Sequence, residues 1–97
     1  MGEKIWYLVK NKKKSFILIG SDIPGINQDI ISQAFYHLKN HDIVIGPTED
    51  GGFWLIGFSM KKEISYPFND IRWSTSNTLK DLITNLDKIK ISYKITT

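Results

Sequence analysis

Two stretches of the same design constrain this chain more than any other feature. The apolar run Phe16-Ile17-Leu18-Ile19 passes directly into Gly20-Ser21-Asp22-Ile23-Pro24-Gly25, and Ile43-Val44-Ile45 passes into Gly46-Pro47-Thr48-Glu49-Asp50-Gly51-Gly52. Each reads as a buried strand ending in an acidic, glycine-containing turn. Their separation suits one strand, helix, strand unit, so both strands must point the same way and the two turns must share one edge of the sheet. That edge is where open α/β sheets bind ligands.

The residues between them support this reading. Asn27 is a good N-cap, and Ile30, Ile31, Ala34, Phe35 and Leu38 recur on one helical face that ends near Lys39-Asn40. The run Phe16 to Ile19 is apolar at every position, which predicts a strand covered on both faces. Phe53-Trp54-Leu55-Ile56-Gly57-Phe58 is a third strand, too close behind the second for a parallel crossover, so these two are antiparallel if they are neighbours. The sheet is then mixed.

Ile5, Leu8 and Val9 have helical spacing at the start of the chain. After the irregular stretch 59–73, Ser74 or Ser76 is placed to cap a helix carrying Leu79, Leu82, Ile83 and Leu86, which ends near Asp87-Lys88. Ile91, Tyr93 and Ile95 alternate with polar residues as in a half-exposed edge strand. The fold class expected is α/β, a mixed, mainly parallel sheet with flanking helices, formed by a single domain over residues 1–97.

Composition removes several functions. There is no cysteine, so no disulfide frame or thiolate metal site can form. No long apolar stretch follows the acidic N-terminus, so a signal peptide or membrane span is not expected, and a soluble cytoplasmic protein is the default. Thirteen Lys plus Arg against ten Asp plus Glu give +3, and the basic run Lys10-Asn11-Lys12-Lys13-Lys14 has no interleaved aromatics, so it reads as a solvated loop and not as a nucleic-acid surface.

Strand direction places Asp22, the turn Glu49-Asp50-Gly51-Gly52 and the helix start near Ser74 on one side of the sheet. Converging carboxylates suit a hard divalent ion, which takes one or two protein carboxylates plus phosphates and water. Each residue also has a plainer reading: Asp22 as an Asx turn, Asp50-Gly51 as a hairpin turn, and Ser74 as a cap with Arg72 on the surface and Trp73 in the core. Arg72, the single arginine, could equally grip an anion beside a helix N-terminus. His37 and His41 lie four apart, but no glutamate follows the first as in zinc proteases, and they read as residues near a helix C-terminus.

Gly20 to Gly25, Asp42 to Gly57 and Ile71-Arg72-Trp73-Ser74-Thr75, in that order and spacing, resemble the DUF2064 group of glycosyltransferase-A-like proteins, some of which are called arsenosugar-biosynthesis glycosyltransferases. The resemblance covers most of Phe16 to Ile95 and implies the C-terminal half of a nucleotide-diphospho-sugar transferase fold. It further implies that Asp22 binds Mg²⁺ or Mn²⁺, that Glu49 or Asp50 positions the acceptor or assists as base, and that Gly51, Gly52, Arg72, Trp73, Ser74 and Thr75 line the substrate side. A nucleotide sugar and a small-molecule acceptor are the implied partners. Nothing in the chain matches the family's N-terminal glycine-basic loop for the nucleotide phosphates. A nucleotidyltransferase of the same fold, or a non-catalytic remnant or binding module pairing with a second copy or a separate N-terminal half, are the alternatives.

Overall fold

The computed structural model describes residues 2–20 and 28–96. Asp22 and the expected cap Asn27 lie outside the described residues. Helix α1 (Gly2–Lys10) leads into strand β1 (Phe16–Ile19), and helix α2 (Gln28–His37) into β2 (Ile43–Pro47). Strand β3 (Phe53–Phe58), helix α3 (Thr78–Lys88) and strand β4 (Tyr93–Ile95) complete the chain.

The four strands form one sheet in the order β1-β3-β2-β4. β3 is antiparallel to both of its neighbours, Phe58 lying opposite Phe16 on one side and opposite Ile43 on the other. β4 runs parallel to β2, with Ile43 opposite Tyr93. Three strands therefore point one way and β3 alone points back. β1 and β2 are codirectional as the sequence requires, but β3 is inserted between them.

Because successive strand residues face opposite sides, the sheet has two cores. On one side Ile43, Ile45, Ile56 and Phe58 pack with Val9 of α1, Leu82 and Leu86 of α3, and Phe68 and Ile71 of the irregular connection. On the other side Val44 and Leu55 pack with Ala34 of α2 and Leu38 just past its end. The result is a three-layer α/β arrangement.

Two expectations need correction. β1 is an edge strand with its residues only half-buried and Ile19 39% exposed, where a strand covered on both faces was expected. Helices do flank it on both faces, and what it lacks among the described residues is a neighbour beyond its outer edge. Helix α3 begins at Thr78 behind Asn77, which makes no side-chain cap bond, so neither Ser74 nor Ser76 is the cap. Those residues are spent in a turn ahead of the helix, where Ser74 takes a left-handed φ of 58°.

Candidate functional site

A cleft of about 540 Å³ opens where β2 ends and β3 begins, lined by Thr48, Asp50, Gly52, Phe53, Trp73, Ser74, Thr75, Ser76 and Thr78. Gly20, the last described residue before the first acidic turn, reaches the same end of the sheet, its N–H donating to the Trp54 carbonyl at 2.9 Å. β1 and β2 therefore end at the same edge of the sheet, as strand direction requires, while Asp22 itself lies outside the described residues. Of the residues expected there, Asp50, Gly52, Trp73, Ser74 and Thr75 line the cleft. Glu49 and Gly51 are outside the lining, Glu49 exposed and Gly51 half-buried.

The 48–52 turn is held from within. Thr48 N–H donates to the Gly52 carbonyl (3.0 Å) and Gly51 N–H to the Thr48 carbonyl (3.3 Å). Thr48 Oγ1 donates to Asp50 Oδ1, and Gly52 N–H reaches both Thr48 Oγ1 (3.0 Å) and Asp50 Oδ1 (3.3 Å). These donors, the Thr48 hydroxyl first and the Gly52 amide next, hold the Asp50 carboxyl below its ordinary value. Asp50 is an ionised group that resists protonation and is correspondingly a weak base.

The opposite wall is the lead-in to α3. Thr75 Oγ1 and Thr78 Oγ1 both donate to the Arg72 carbonyl (2.6 and 2.8 Å), and Asn77 N–H donates back to Thr75 Oγ1 (3.1 Å). Trp73 is half-buried, its ring edge-on to Phe53 at 6.2 Å and tilted against Phe68 at 5.9 Å. The two walls are tied together by Leu79 N–H, which donates to the Gly51 carbonyl at 2.9 Å. One of the free N–H groups at the helix start is thus taken by the turn itself.

Arg72 does not line the cleft. Its Nε and Nη2 donate to Asp81 Oδ2 (3.0 Å) and Oδ1 (2.8 Å), and its backbone N–H also reaches Oδ2 (2.9 Å). The Arg72 side chain, then its backbone N–H, hold the Asp81 carboxyl down at about 2, against an ordinary 3.8; the same contacts push the Arg72 guanidinium further up. Since the folded carboxyl is the more acidic one, the pair's contribution is complete above about pH 4 and is lost as pH falls toward about 2. Urea midpoints measured from pH 6 to pH 2 are expected to fall more steeply for the native chain than for Asp81→Asn, and parallel curves would show that the pair adds nothing.

Thr48, Phe53, Ser76 and Thr78 were not among the candidates. Thr48 carried a readable signal, a hydroxyl two residues before an aspartate in a turn; the others are brought in by the docking of the turn on α3. Among the described residues no group of three or more His, Asp and Glu side chains is close enough to hold a metal, and Asp50 is the one carboxylate lining the cleft. His41 Nδ1 instead lies 3.2 Å from the His37 carbonyl.

A larger cleft of about 930 Å³ lies at the opposite end of the sheet, where Lys10, Lys12, Lys61 and Lys62 meet Asp42 and Glu63. Three of its cations are engaged, Lys62 with Asp42 (3.3 Å), Lys61 with the Lys39 carbonyl (2.7 Å) and Lys12 over the Phe16 ring (5.8 Å to its centroid).

Residues 1–75 match the family described as "Uncharacterized protein conserved in bacteria (DUF2064)". The chain belongs to the DUF2064 family. No curated protein matches it. Among solved structures, the "putative nucleotide-diphospho-sugar transferase" from Desulfovibrio desulfuricans G20 superposes with a TM-score of 0.82 at 25% identity, over 99% of this chain and 42% of that one. The DUF2064 chain thus has the nucleotide-diphospho-sugar transferase fold over a length well under half of that relative. Among its described residues no helix is long and apolar enough to cross a membrane.

Proposed function

We propose that this DUF2064 chain forms the acceptor side of a metal-dependent glycosyltransferase site for a nucleotide sugar. The observation that carries the reading is the cleft of about 540 Å³ that an ionised Asp50 lines together with the hydroxyl-bearing Ser74, Thr75, Ser76 and Thr78. A carboxylate held anionic by donors on one oxygen accepts hydrogen bonds from sugar hydroxyls with the other. Its depressed pKa favours positioning over proton abstraction, and Glu49, exposed next to it on the chain, is the second candidate carboxylate. Half-buried Trp73 and Phe53 offer an apolar surface for the face of a sugar ring.

A hard ion fits this donor set only in part. Asp50 and the neighbouring hydroxyls are oxygen ligands of the right kind, and Asp22, three residues after the end of β1 in sequence, would supply the second carboxylate that Mg²⁺ or Mn²⁺ commonly takes. Such an ion, when bound, neutralises negative charge on the leaving diphosphate. Arg72, bound to Asp81, fixes the wall that carries Trp73, Ser74 and Thr75.

Calorimetric titration of nucleotide sugars, and separately of simple sugars, with and without Mn²⁺ tests the reading. Asp50→Asn is expected to weaken sugar binding about tenfold to a hundredfold, the range for losing a hydrogen bond to a charged group. Asp22→Ala should abolish the Mn²⁺ dependence and spare metal-free sugar binding. Unchanged titrations in both variants would remove the site from this cleft.

A further inference from the structure

The larger cleft, at the far end of the sheet from Asp50, is divided by depth. Its floor is apolar, with Val9 and Phe58 buried and Trp6, Met60 and Ile64 half-buried. Its rim is cationic, since Lys10, Lys12, Lys61 and Lys62 are all exposed. The walls come from the end of α1 and the residues after it, from Asp42 ahead of β2, and from the segment 58–65 at the end of β3. The Trp6 ring is braced edge-on against Tyr66 at 5.6 Å and offers a flat apolar surface.

The positive charge of the rim is not cancelled from within. Asp42 Oδ2 accepts from the Ser92 hydroxyl (3.0 Å), the Ser92 N–H (3.3 Å) and Lys62 Nζ (3.3 Å), so this carboxylate answers Lys62 and ties β2 to β4. Lys61 donates to a neutral carbonyl and Lys12 lies over a neutral ring, and both keep their charge. Lys10 makes no ion pair among the described residues. Glu63 is the one other acid of the lining, set against three lysines. Ser59 adds a buried donor. It is 7% exposed, its Oγ accepts the Lys61 N–H at 3.4 Å, and no described residue accepts its own O–H.

We infer that this cleft binds a small organic anion with an aromatic body. One anionic oxygen takes the Ser59 O–H, the head group faces the lysines, and the ring lies on the apolar floor beside Trp6, Met60 and Ile64. A volume of about 930 Å³ holds such a molecule with room to spare. Both parts of the ligand are needed. A bare inorganic anion gains only the screened attraction of exposed lysines, and a neutral ring leaves the buried O–H without an acceptor. Aryl carboxylates and aryl phosphates share this chemistry. The site shares no lining residue with the Asp50 cleft, and the inference is independent of the proposed function.

Calorimetric titration of the 97-residue chain with phenyl phosphate and with benzoate, together with amide chemical-shift mapping of the same mixtures, tests it. At least one of the two is expected to bind about tenfold or more tighter than inorganic phosphate and than benzyl alcohol, and the tighter of the two names the head group. The shifts should fall at residues 9–12 and 58–65, not at 48–52. Ser59→Ala should weaken binding about tenfold, as for a lost hydrogen bond to a charged group. Lys10→Glu, at an exposed helix end, should weaken it about twofold to tenfold and keeps the test open should the serine variant fold poorly. Binding of neither probe overturns the proposal, as does equal affinity for inorganic phosphate or for benzyl alcohol. Shifts centred on 48–52, or titrations unchanged in both variants, overturn it as well.

Discussion

Phe58→Ala is expected to cost about 3–5 kcal/mol, the usual range for emptying a buried phenylalanine site. Against a total near ~5–15 kcal/mol for a chain of this size, that leaves little folded protein in mild urea. Phe58 is 1% exposed and occupies the crossing point of the sheet, opposite Phe16 in β1 and Ile43 in β2. Its ring stacks on Phe16 at 5.5 Å and contributes to the core that also receives Val9 of α1 and Leu82 of α3. No single neighbour can collapse into the space, because the surrounding atoms come from helices and strands already fixed by other contacts. Urea unfolding followed by circular dichroism checks the value; a loss below about 1 kcal/mol, typical of surface substitutions, would mean that this core does not hold the sheet together.

The importance of Phe58 follows from strand order, which local pattern does not carry. Apolar periodicity located every helix and strand, and the short link between Ile45 and Phe53 set their antiparallel pairing. That β3 enters between β1 and β2 is decided by pairing of Phe16 with Phe58, forty-two residues apart. The same limit applies to Arg72. A lone arginine before a helix reads equally as a surface residue or an anion grip, and neither reading names its partner Asp81, nine residues on and reached across a turn. Pairs at three or four residues within a helix are legible in a sequence, and this one is not.

The shared edge was legible because it depends only on strand direction. The cleft needed more. Its second wall is a turn in which Ser74 is left-handed and Thr75 and Thr78 cross-link the backbone of Arg72, where the residue types alone suggested a capped helix. Serine and threonine serve caps and turns through the same short side-chain bonds, so composition cannot choose between them. What chooses is the carbonyl of Gly51, which takes the Leu79 N–H.

Gly51→Ala tests that connection and should separate the site from the fold. Gly51 has a φ of +93°, which costs an alanine about 1–2 kcal/mol, and an added Cβ would lie 2.1 Å from the Ser76 carbonyl oxygen and 2.6 Å from its carbon. Backbone atoms cannot step aside as a flexible side chain would, so the turn must lift off α3 and release the Leu79 bond. With overpacking adding about 1–3 kcal/mol, the expected loss is about 2–5 kcal/mol, or a fall in melting temperature of roughly 10–30 °C. Gly52→Ala is the control: its Cβ meets nothing closer than Thr48 Oγ1 at 3.2 Å, and it should cost about 1 kcal/mol or less. Sugar titrations on the two variants then divide the cleft from the scaffold. Gly51→Ala should lose binding even well below its melting point, because Asp50 moves with the turn while Trp73 stays on Phe53 and Phe68. Equal stability in the two variants would mean that the turn does not dock on the start of α3, and the two walls of the cleft would then have no common support.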